Sequence, residues 1–531
     1  MDKGQIVELT IEDISTEGQG IGRTADGMVV FAAGALPGDV ARVELTKVKK
    51  HYASGWAVEI LHASEFRRSE EWCPYQAACG GCPLGALEYG KQLELKEQQV
   101  KSRLERIGGV AVNLQPIVGM ESDGGTAEDG VAADGVPADE RYRNKAVMKV
   151  STGGLMTKKG GIQVPVHEPR IGFSPAKSHE VTDCTDCRLQ VGTAMAAAEA
   201  TRQFMEEDHI CSYDKRWDKG LMRQMTVRTA FGTGEVMVIY DINGKGIPNA
   251  AKLVEYLDDA VYEAGGSLES VVIRNDKKTE TLAGKSTITD IVSIGGETEE
   301  DAPRELAFEI SANSFYQVNH DQMERLYGIV HRYCRKAQEE ICGDGVSGPV
   351  VLDLYCGIGT IGLCVADIAS HVHGIEIVKD AVTDANRNAV INGIVNATYT
   401  CGKAEELIPQ WAAAGQGPWE GGEHAAADIA ILDPPRAGCR PQLLEAIAEA
   451  SIPAVIYVSC DPATLARDVK LLHEKGYELE EATPVDMFPN AGHVETVCLL
   501  SNRKPDSYVH LNLKMEDYYR IKDAQKEQDK K

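Results

Sequence analysis

Residues 350–360 read VVLDLYCGIGT, and this stretch decides the fold of the carboxyl-terminal part of the chain. It begins with a continuous apolar run, typical of a strand buried on both faces, and ends in a glycine turn that opens a helix. Similar apolar runs recur at 371–375, 429–432 and 454–458, with helical segments between them. This alternation predicts an α/β fold with a doubly wound parallel sheet, in which ligands bind at the carboxyl ends of the strands.

The glycine turn indicates a nucleotide-like ligand. Gly357 and Gly359 allow the main chain to approach a ligand closely, and Glu376 ends the next strand, where an acid can accept both ribose hydroxyls. The third glycine of a dinucleotide fingerprint is absent. This favours S-adenosyl-L-methionine (SAM) over NAD, because SAM has no pyrophosphate to bind. A tight strand–helix turn without any ligand is the alternative interpretation.

The rest of the chain divides into units of different composition. Residues 1–62 contain short strands between glycine turns, which predicts a small β-barrel. Residues 63–310 alternate strands and helices and predict a central α+β domain, whereas 311–503 form the α/β domain. Residues 119–140 contain no Lys or Arg, and we interpret them as a flexible acidic insertion. Residues 504–531 are predicted to be a charged tail.

Composition excludes several classes of protein. The net charge of -26 excludes indiscriminate binding to polyanions, although a local basic patch can still bind phosphates. No apolar run approaches the roughly 18 residues of a membrane span, and the amino terminus does not resemble a secretory signal. We therefore predict a cytoplasmic protein. Its 14 cysteines are then expected to be thiols, metal ligands or nucleophiles rather than disulfides.

Residues 433–436, DPPR, directly follow the apolar run at 429–432. Enzymes that methylate amines often carry Asp/Asn-Pro-Pro-aromatic at this place, where the aromatic ring stacks on the base. Arg436 replaces that ring here. The motif therefore argues against an amine as the methyl acceptor.

Residues 459–462, SCDP, place a cysteine at the carboxyl end of another strand. Uracil C5 is a poor nucleophile until a thiolate adds to C6 and turns C5 into a carbanion equivalent. Cys460 is the candidate nucleophile, and Glu495, at the start of the last apolar strand, is the candidate base for the C5 proton. The structural alternatives are a buried small thiol and a surface acid.

Five segments in this order resemble the RNA (uracil-5-)-methyltransferase family, and the likeness covers residues 1 to about 502. They are 314–319 (SFYQVN), 353–360, 433–436, 457–462 and 486–495. The resemblance implies a class I methyltransferase domain with a Rossmann-like sheet. It also implies a TRAM module, an OB-like RNA-binding barrel, at residues 1–62, and a helix near 93–117 that can pack on the catalytic domain.

Site roles follow from this resemblance. It implies that Cys460 is the nucleophile, that Glu495 is the base, and that Phe315 lies near the flipped uracil. Around SAM it implies four side chains together with the glycine turn at Gly357: Gln317, Tyr355, Glu376 and Asp433. Family members usually carry a polar or acidic contact after the third strand, and the sequence does not assign that contact within residues 402–405.

A second group of cysteines lies outside this domain. Cys73, Cys79 and Cys82 are followed about a hundred residues later by Cys184 and Cys187. Four thiolates suit either zinc or an iron–sulfur cluster, and spacing alone does not choose between them. The family resemblance favours a [4Fe-4S] cluster whose ligands are Cys73, Cys79, Cys82 and Cys187. Free buried thiols are the alternative.

Two basic segments are candidate RNA contacts. One contains Lys49 and Lys50 in the amino-terminal barrel, and the other contains Arg141, Arg143 and Lys145. A solvated edge strand or a solvated face explains either segment equally well.

The predicted function is SAM-dependent C5-methylation of uridine in 23S rRNA. The same chemistry on a tRNA T-loop uridine is the near alternative. A catalytically inactive RNA-binding protein or chaperone, and an iron–sulfur electron carrier, are alternatives from other classes. We expect a monomer without an obligate protein partner.

Overall fold

The computed structural model describes residues 1–69, 71–120, 137, 139–152, 155–158, 162–165, 168–175, 178, 180–215, 218–295, 303–342, 348–414 and 427–502. The predicted charged tail, 504–531, and most of the predicted acidic insertion, 121–136 and 138, lie outside these residues. Within them, no helix is both long enough and apolar enough to cross a membrane.

The amino-terminal residues form a closed five-stranded barrel. Buried and exposed residues alternate along its first and fourth strands, as expected where one face of each strand points inward. Its strands are joined in the order β1-β2-β3-β5-β4. They are β1 (Ile6–Ile14), β2 (Gly20–Arg23), β3 (Val29–Ala33), β4 (Val40–Val48) and β5 (Tyr52–His62).

Two helices connect the barrel to the rest of the chain. They are α1 (Gln76–Cys79) and α2 (Tyr89–Arg103), and α2 continues into a π-helical turn at Leu104–Gly108. Val100 and Leu104 are buried in one hydrophobic cluster with side chains of the carboxyl-terminal sheet. The segment after the turn pairs with that sheet through Leu114 and Val118. This early part of the chain is therefore built into the α/β unit.

The central part is a mixed seven-stranded sheet with the order β10-β9-β6-β11-β12-β13-β14. Helices α3 and α4 bury their apolar faces against one side of it. The sheet strands and helices are β6 (Lys145–Thr152), β9 (Pro169–Phe173), β10 (Thr182–Asp183), α3 (Gly192–Glu207), β11 (Met222–Thr229), β12 (Glu235–Ile242), α4 (Ala250–Glu263), β13 (Ser267–Arg274) and β14 (Thr279–Gly284).

Two hairpins accompany this sheet. One is formed by β7 (Leu155–Lys158) and β8 (Ile162–Pro165), and the other by β15 (Thr287–Ile294) and β16 (Arg304–Ser311). The second hairpin shares a buried cluster with the carboxyl-terminal sheet, so the hydrophobic core continues across residue 310.

The carboxyl-terminal unit is a seven-stranded sheet with the order β19-β18-β17-β20-β21-β23-β22. The strands from β19 to β21 are parallel, and β23 runs antiparallel to β21. Its strands are β17 (Val350–Leu354), β18 (His371–Glu376), β19 (Ala397–Cys401), β20 (Ile429–Leu432), β21 (Ala454–Ser459), β22 (Tyr477–Val485) and β23 (Glu495–Asn502). The helices are α5 (His320–Cys342), α6 (Thr360–Cys364), α7 (Lys379–Ile391), α8 (Ala404–Ala414), α9 (Pro441–Glu449) and α10 (Pro462–Glu474).

Every residue of β17, β20 and β21 is buried, which is why these strands read as continuous apolar runs. The predicted α/β fold class with an amino-terminal barrel is confirmed.

Candidate active site

The predicted site residues of the α/β unit lie at one edge of its sheet. Tyr355, Glu376, Asp433 and Cys460 each stand at or directly after the carboxyl end of β17, β18, β20 or β21. Parallel strands bring these ends together at the edge where open α/β sheets bind ligands.

The glycine turn after β17 has an unusual main-chain conformation. Tyr355, Gly357 and Gly359 have φ angles of 66°, 55° and 80°, and a side chain at Gly359 would place Cβ 2.6 Å from the Tyr399 hydroxyl. The Gly357 N–H donates to Oε2 of Glu376 at 3.2 Å. The two glycines are therefore required by the turn itself, and the Glu376 carboxylate faces it.

Tyr355 is the one residue of this turn that adopts a left-handed conformation without being glycine. Its hydroxyl donates to Oε1 of Glu405 at 2.8 Å, which holds the ring in place. Glu405 belongs to the segment after the third strand whose contact the sequence left unassigned. A carboxylate at the start of α8 was visible in the sequence, but its partner is set by tertiary structure.

A narrow cleft lies beside the turn. The loop between β16 and α5 contributes Phe315 and Gln317 to its lining. Phe315 is 66% exposed, which is unusual for an aromatic ring. The cleft is lined by Phe315, Tyr316, Gln317, Tyr327, Tyr355, Cys356, Gly357, Ile358, Thr360, Ile361 and Asp433.

Three carboxyl groups near the sheet edge have raised pKa values. Burial raises the pKa of Asp353 to about 7. The hydrogen bond from the Gly362 N–H lowers this pKa, and the negative charge of Asp433 raises it. Burial also raises the pKa of Asp433 to about 7. Glu495 has a pKa raised to about 8, first by burial and then by Asp433. Crowded, desolvated carboxylates of this kind favour a cationic ligand.

Cys460 and Glu495 meet at the end of the antiparallel pair of strands. Ser459 pairs with Thr496, so Cys460 and Glu495 lie one residue beyond that pair on β21 and β23. Burial and the Glu495 carboxylate raise the pKa of Cys460 to about 12, and Arg436 acts in the opposite direction. The site thus joins a thiol, an acid and a cation at the edge where the cleft opens.

The predicted thiol ligands also come close to one another. Burial raises the pKa of Cys73, Cys79 and Cys82, and the charge of Cys187 raises each of them further. The neighbouring Cys184 thiol is the main cause of a lowered pKa of Cys187. Within the described ranges, however, no group of three or more His, Cys, Asp or Glu side chains is arranged to hold a metal ion.

The predicted RNA contacts lie in two different places. Lys49 and Lys50 are exposed in the turn between β4 and β5. Arg143 is half-buried, and its main chain bridges Gln190, beside the thiols, and Asn319, beside the cleft.

Comparisons with known proteins agree with this geometry. A family model of tRNA (uracil-5-)-methyltransferases matches residues 267–503, and a TRAM domain matches residues 2–58. An RNA methyltransferase of Caldanaerobacter subterraneus is 38% identical over 498 residues, covering 94% of this chain and 98% of the relative. An RNA methyltransferase of Halalkalibacterium halodurans is 35% identical over 501 residues, with coverage of 94% and 98%.

A solved structure resembles most of the chain. It is the Pyrococcus abyssi tRNA (uracil-54, C5)-methyltransferase in complex with S-adenosyl-L-homocysteine (SAH), which is 26% identical with a TM-score of 0.65. The match covers 93% of this chain and all of that one. With the relatives above, it shows that this chain, with its amino-terminal TRAM domain, belongs to the RNA (uracil-5-)-methyltransferase family of SAM-dependent RNA-modifying enzymes.

Proposed function

We propose that the enzyme methylates C5 of a uridine in 23S rRNA through a covalent bond between Cys460 and C6 of the base. The observation that carries this proposal is the strand register that puts Cys460 beside Glu495, close to the cleft residue Asp433. A nucleophile alone or a base alone would not complete the reaction, and a binding protein requires neither.

The proposed chemistry uses the two residues in turn. The Cys460 thiolate adds to C6, and the electrons of the C5–C6 double bond move to the C4 carbonyl. C5 then takes the methyl group that SAM supplies, and the C–S bond to that methyl group breaks. Glu495 accepts the C5 proton, the C5–C6 double bond re-forms, and the C6–S bond breaks to release the thiolate.

The free enzyme holds these groups largely protonated at neutral pH, because the pKa values of Cys460 and Glu495 are raised to about 12 and about 8. Arg436 is the nearby cation that stabilises the thiolate. The charge of Asp433 contributes to the raised pKa values of both Cys460 and Glu495. We infer that a positively charged ligand bound at Asp433 offsets this charge and so favours the ionised forms of Cys460 and Glu495.

The cleft residues are proposed to bind SAM. Glu376 is outside the cleft lining but lies against the glycine turn at Gly357, and we propose that it accepts the ribose hydroxyls. Gln317, Tyr355 and Asp433 line the cleft. The exposed Phe315 ring is proposed to contact the uracil, which must leave its stack to reach Cys460.

Two RNA classes are candidates. The TRAM barrel and the cysteine group resemble the ribosomal branch of the family, which favours 23S rRNA. The likeness to the Pyrococcus abyssi enzyme, whose substrate is tRNA, favours a T-loop uridine instead. Lys49, Lys50 and Arg143 are proposed RNA contacts. Action as a cytoplasmic monomer remains a prediction.

The thiols are proposed to hold a [4Fe-4S] cluster. Cys73, Cys79 and Cys187 lie near enough to Cys82 for each to raise its pKa, which supports a shared site, although the described side chains are not arranged around a metal ion. Cys184, which lies beside Cys187, is the spare thiol in this assignment. The cluster has no electron-transfer step in the methylation, and we propose a structural role. Iron and sulfide analysis of anaerobically prepared protein tests it, with Cys82→Ser as the variant that loses both.

Methyl transfer from labelled SAM tests the main proposal. Unmodified 23S rRNA fragments and tRNA are offered to the wild type, Cys460→Ala and a control variant, Cys211→Ala, which changes an exposed thiol of the central part. Label in 5-methyluridine of 23S rRNA, lost only in Cys460→Ala, is the expected result. Label in tRNA alone overturns the rRNA substrate and keeps the chemistry. No label in either RNA overturns the proposed reaction.

A further inference from the structure

The loop between β16 and α5 carries Phe315 and Gln317, the residues proposed to contact uracil and SAM. Loops at ligand sites are commonly mobile, and a mobile loop must be ordered when the ligand binds. In this structure two residues, Asn144 and Asp290, hold the loop in place, and neither of them lines the cleft.

Asn144 holds the loop from the central sheet. Its side-chain Nδ2 donates to the carbonyl oxygen of Gln317 at 2.8 Å, and its main-chain N–H donates to the carbonyl oxygen of Val318 at 2.9 Å. Its own carbonyl accepts from the N–H of Thr229, in β11, at 2.8 Å. Asn144 is 5% exposed, so water does not compete well for these bonds. Asn144 thereby links the carbonyl groups of Gln317 and Val318 to β11.

Asp290 holds the loop from the β15–β16 hairpin. Its Oδ2 accepts from the Tyr316 hydroxyl at 3.0 Å and lies 3.0 Å from Nδ1 of His320. Its Oδ1 accepts from the N–H of Gly232 at 2.7 Å. The carboxylate is completely buried, and the His320 ring stacks on Phe231 with centroids 5.6 Å apart. Oδ2 of Asp290 therefore contacts Tyr316, directly before the segment 317–319, and His320, directly after it.

We propose that Asn144 and Asp290 are positioning residues that fix the chain on both sides of Gln317, so that this residue is held in place before SAM arrives. This inference rests on the proposed role of Gln317 in SAM binding. Fixing the loop in the free protein removes the ordering cost from the binding step. Since Asn144 and Asp290 touch the loop and not the cleft, their effect on SAM must pass through the loop's position.

Charge strengthens the Asp290 contact. Burial opposes a charge on His320, but hydrogen bonds to Asp290 and Glu324 outweigh it and raise the His320 pKa to about 10. Glu324 also accepts from the N–H of Ser293 on β15 at 2.6 Å. The start of α5 is thus tied to β15 by two carboxylates.

Calorimetric binding of SAM and SAH to the full-length protein, without RNA, tests the inference. Asn144→Ala and Tyr316→Phe each remove hydrogen bonds to the loop. Tyr316 itself lines the cleft, but its change keeps the ring and removes only the hydroxyl that donates to Asp290. We expect each variant to bind both ligands at least about fivefold more weakly, the effect of one lost buried hydrogen bond. The KM for SAM is expected to rise in methyl transfer, with kcat at saturating SAM little changed.

Tyr333→Phe is the matched control for Tyr316→Phe. The Tyr333 hydroxyl bonds to Thr483 Oγ1 at 2.7 Å in the same buried cluster, and Tyr333 does not line the cleft. It should lower the thermal midpoint as Tyr316→Phe does, yet leave SAM affinity unchanged. If Asn144→Ala fails to fold, the two tyrosine variants still decide the question.

Equal SAM affinity in Tyr316→Phe, Tyr333→Phe and the wild type overturns the positioning role while leaving the proposed methylation intact. Weakened binding in Tyr316→Phe alone supports it, even if the wild type methylates no uridine, in which case only the proposed function fails. A wild type that binds neither SAM nor SAH overturns both.

Discussion

Ser459 pairs with Thr496 in the antiparallel ladder between β21 and β23, and Cys460 and Glu495 follow directly beyond this pair. The parallel strands before β21 bring the glycine turn, Glu376 and Asp433 to the same sheet edge. A further parallel strand would begin at the opposite edge. Because β23 reverses direction, its first residue begins where β21 ends, and the proposed base stands beside the proposed nucleophile.

Glu495→Gln should separate the two halves of the reaction. The amide keeps the size of the side chain but cannot accept the C5 proton, so the covalent Cys460–RNA species should accumulate after methyl transfer. Product release should fall about a hundredfold or more, the usual contribution of a general base. Denaturing gels that retain a protein–RNA band measure the trapped species.

The exposed Glu449, changed to Gln, is the control for this prediction, and it should show no trapped band. The double variant Cys460→Ala/Glu495→Gln should also show none. Methylated RNA released by Glu495→Gln at the wild-type rate would mean that another group removes the C5 proton.

The pKa of Asp433, raised to about 7 by burial, predicts a pH-dependent preference between SAM and SAH. The sulfonium of SAM is a cation and the thioether of SAH is neutral, whereas the rest of the two ligands is identical. As pH rises through 7 the carboxyl ionises and attracts only the sulfonium. The affinity ratio of SAM to SAH should therefore increase with pH, by up to about tenfold if the sulfonium lowers the Asp433 pKa by one unit.

Calorimetric titrations of both ligands between pH 6 and pH 8 measure this ratio. Asp433→Asn cannot ionise, and its ratio should stay constant over the same range. A ratio in the wild type that falls with pH, or that changes equally in Asp433→Asn, would assign the titration to a different group.

Local sequence signals predicted the strands of the α/β sheet well. Residues 350–354 and 429–432 are strands with the predicted bounds, because a strand buried on both faces must be apolar throughout. Helix α2 and its continuation span residues 89–108, but the last turn is π-helical, which no periodicity in the sequence indicates. The barrel followed from short strands separated by glycine turns.

The contacts that organise the site had no local signal. The Tyr355–Glu405 bond joins residues on different strand–helix units, and Asn144 meets Gln317 across two parts of the chain. Such partners are chosen by tertiary packing, so a single sequence offers a candidate acid or amide without its contact. Similarly, spacing identified the thiols but not the effect of Cys184 on the pKa of Cys187.

Gly492 lies where the TRAM barrel contacts the segment that leads into Glu495. A Cβ at this position would lie 2.6 Å from the carbonyl oxygen of Thr16 and 3.1 Å from the nitrogen of Gly18, in the loop between β1 and β2. Gly492→Ala must therefore separate the barrel loop from the segment that leads into Glu495. We expect a loss of stability of about 1–3 kcal/mol and reduced methyl transfer, with SAM affinity retained.

Thermal unfolding, RNA methylation and SAM calorimetry of this variant test the contact. Gly90→Ala, where a new Cβ meets no atom within 4 Å, is the control and should behave as the wild type. Full methylation by Gly492→Ala would show that the barrel's contact with this segment is not needed for catalysis.

Lys96 and Asp486 form a completely buried ion pair, with Nζ 2.5 Å from Oδ1, that ties α2 to the loop between β22 and β23. Nζ also donates to the carbonyl oxygen of Phe488 at 3.0 Å. Lys96→Met leaves the Asp486 carboxylate buried without its cation and should lower the free energy of unfolding by about 3–5 kcal/mol. Lys96→Met/Asp486→Leu removes both charges and should recover most of that loss.

The exposed pair Arg42–Glu59 is the control: Arg42→Met should cost less than about 1 kcal/mol in the same unfolding measurement, because water replaces the lost partner. A double variant no more stable than Lys96→Met would mean that the packing of the lysine stem, rather than its charge, holds α2 in place.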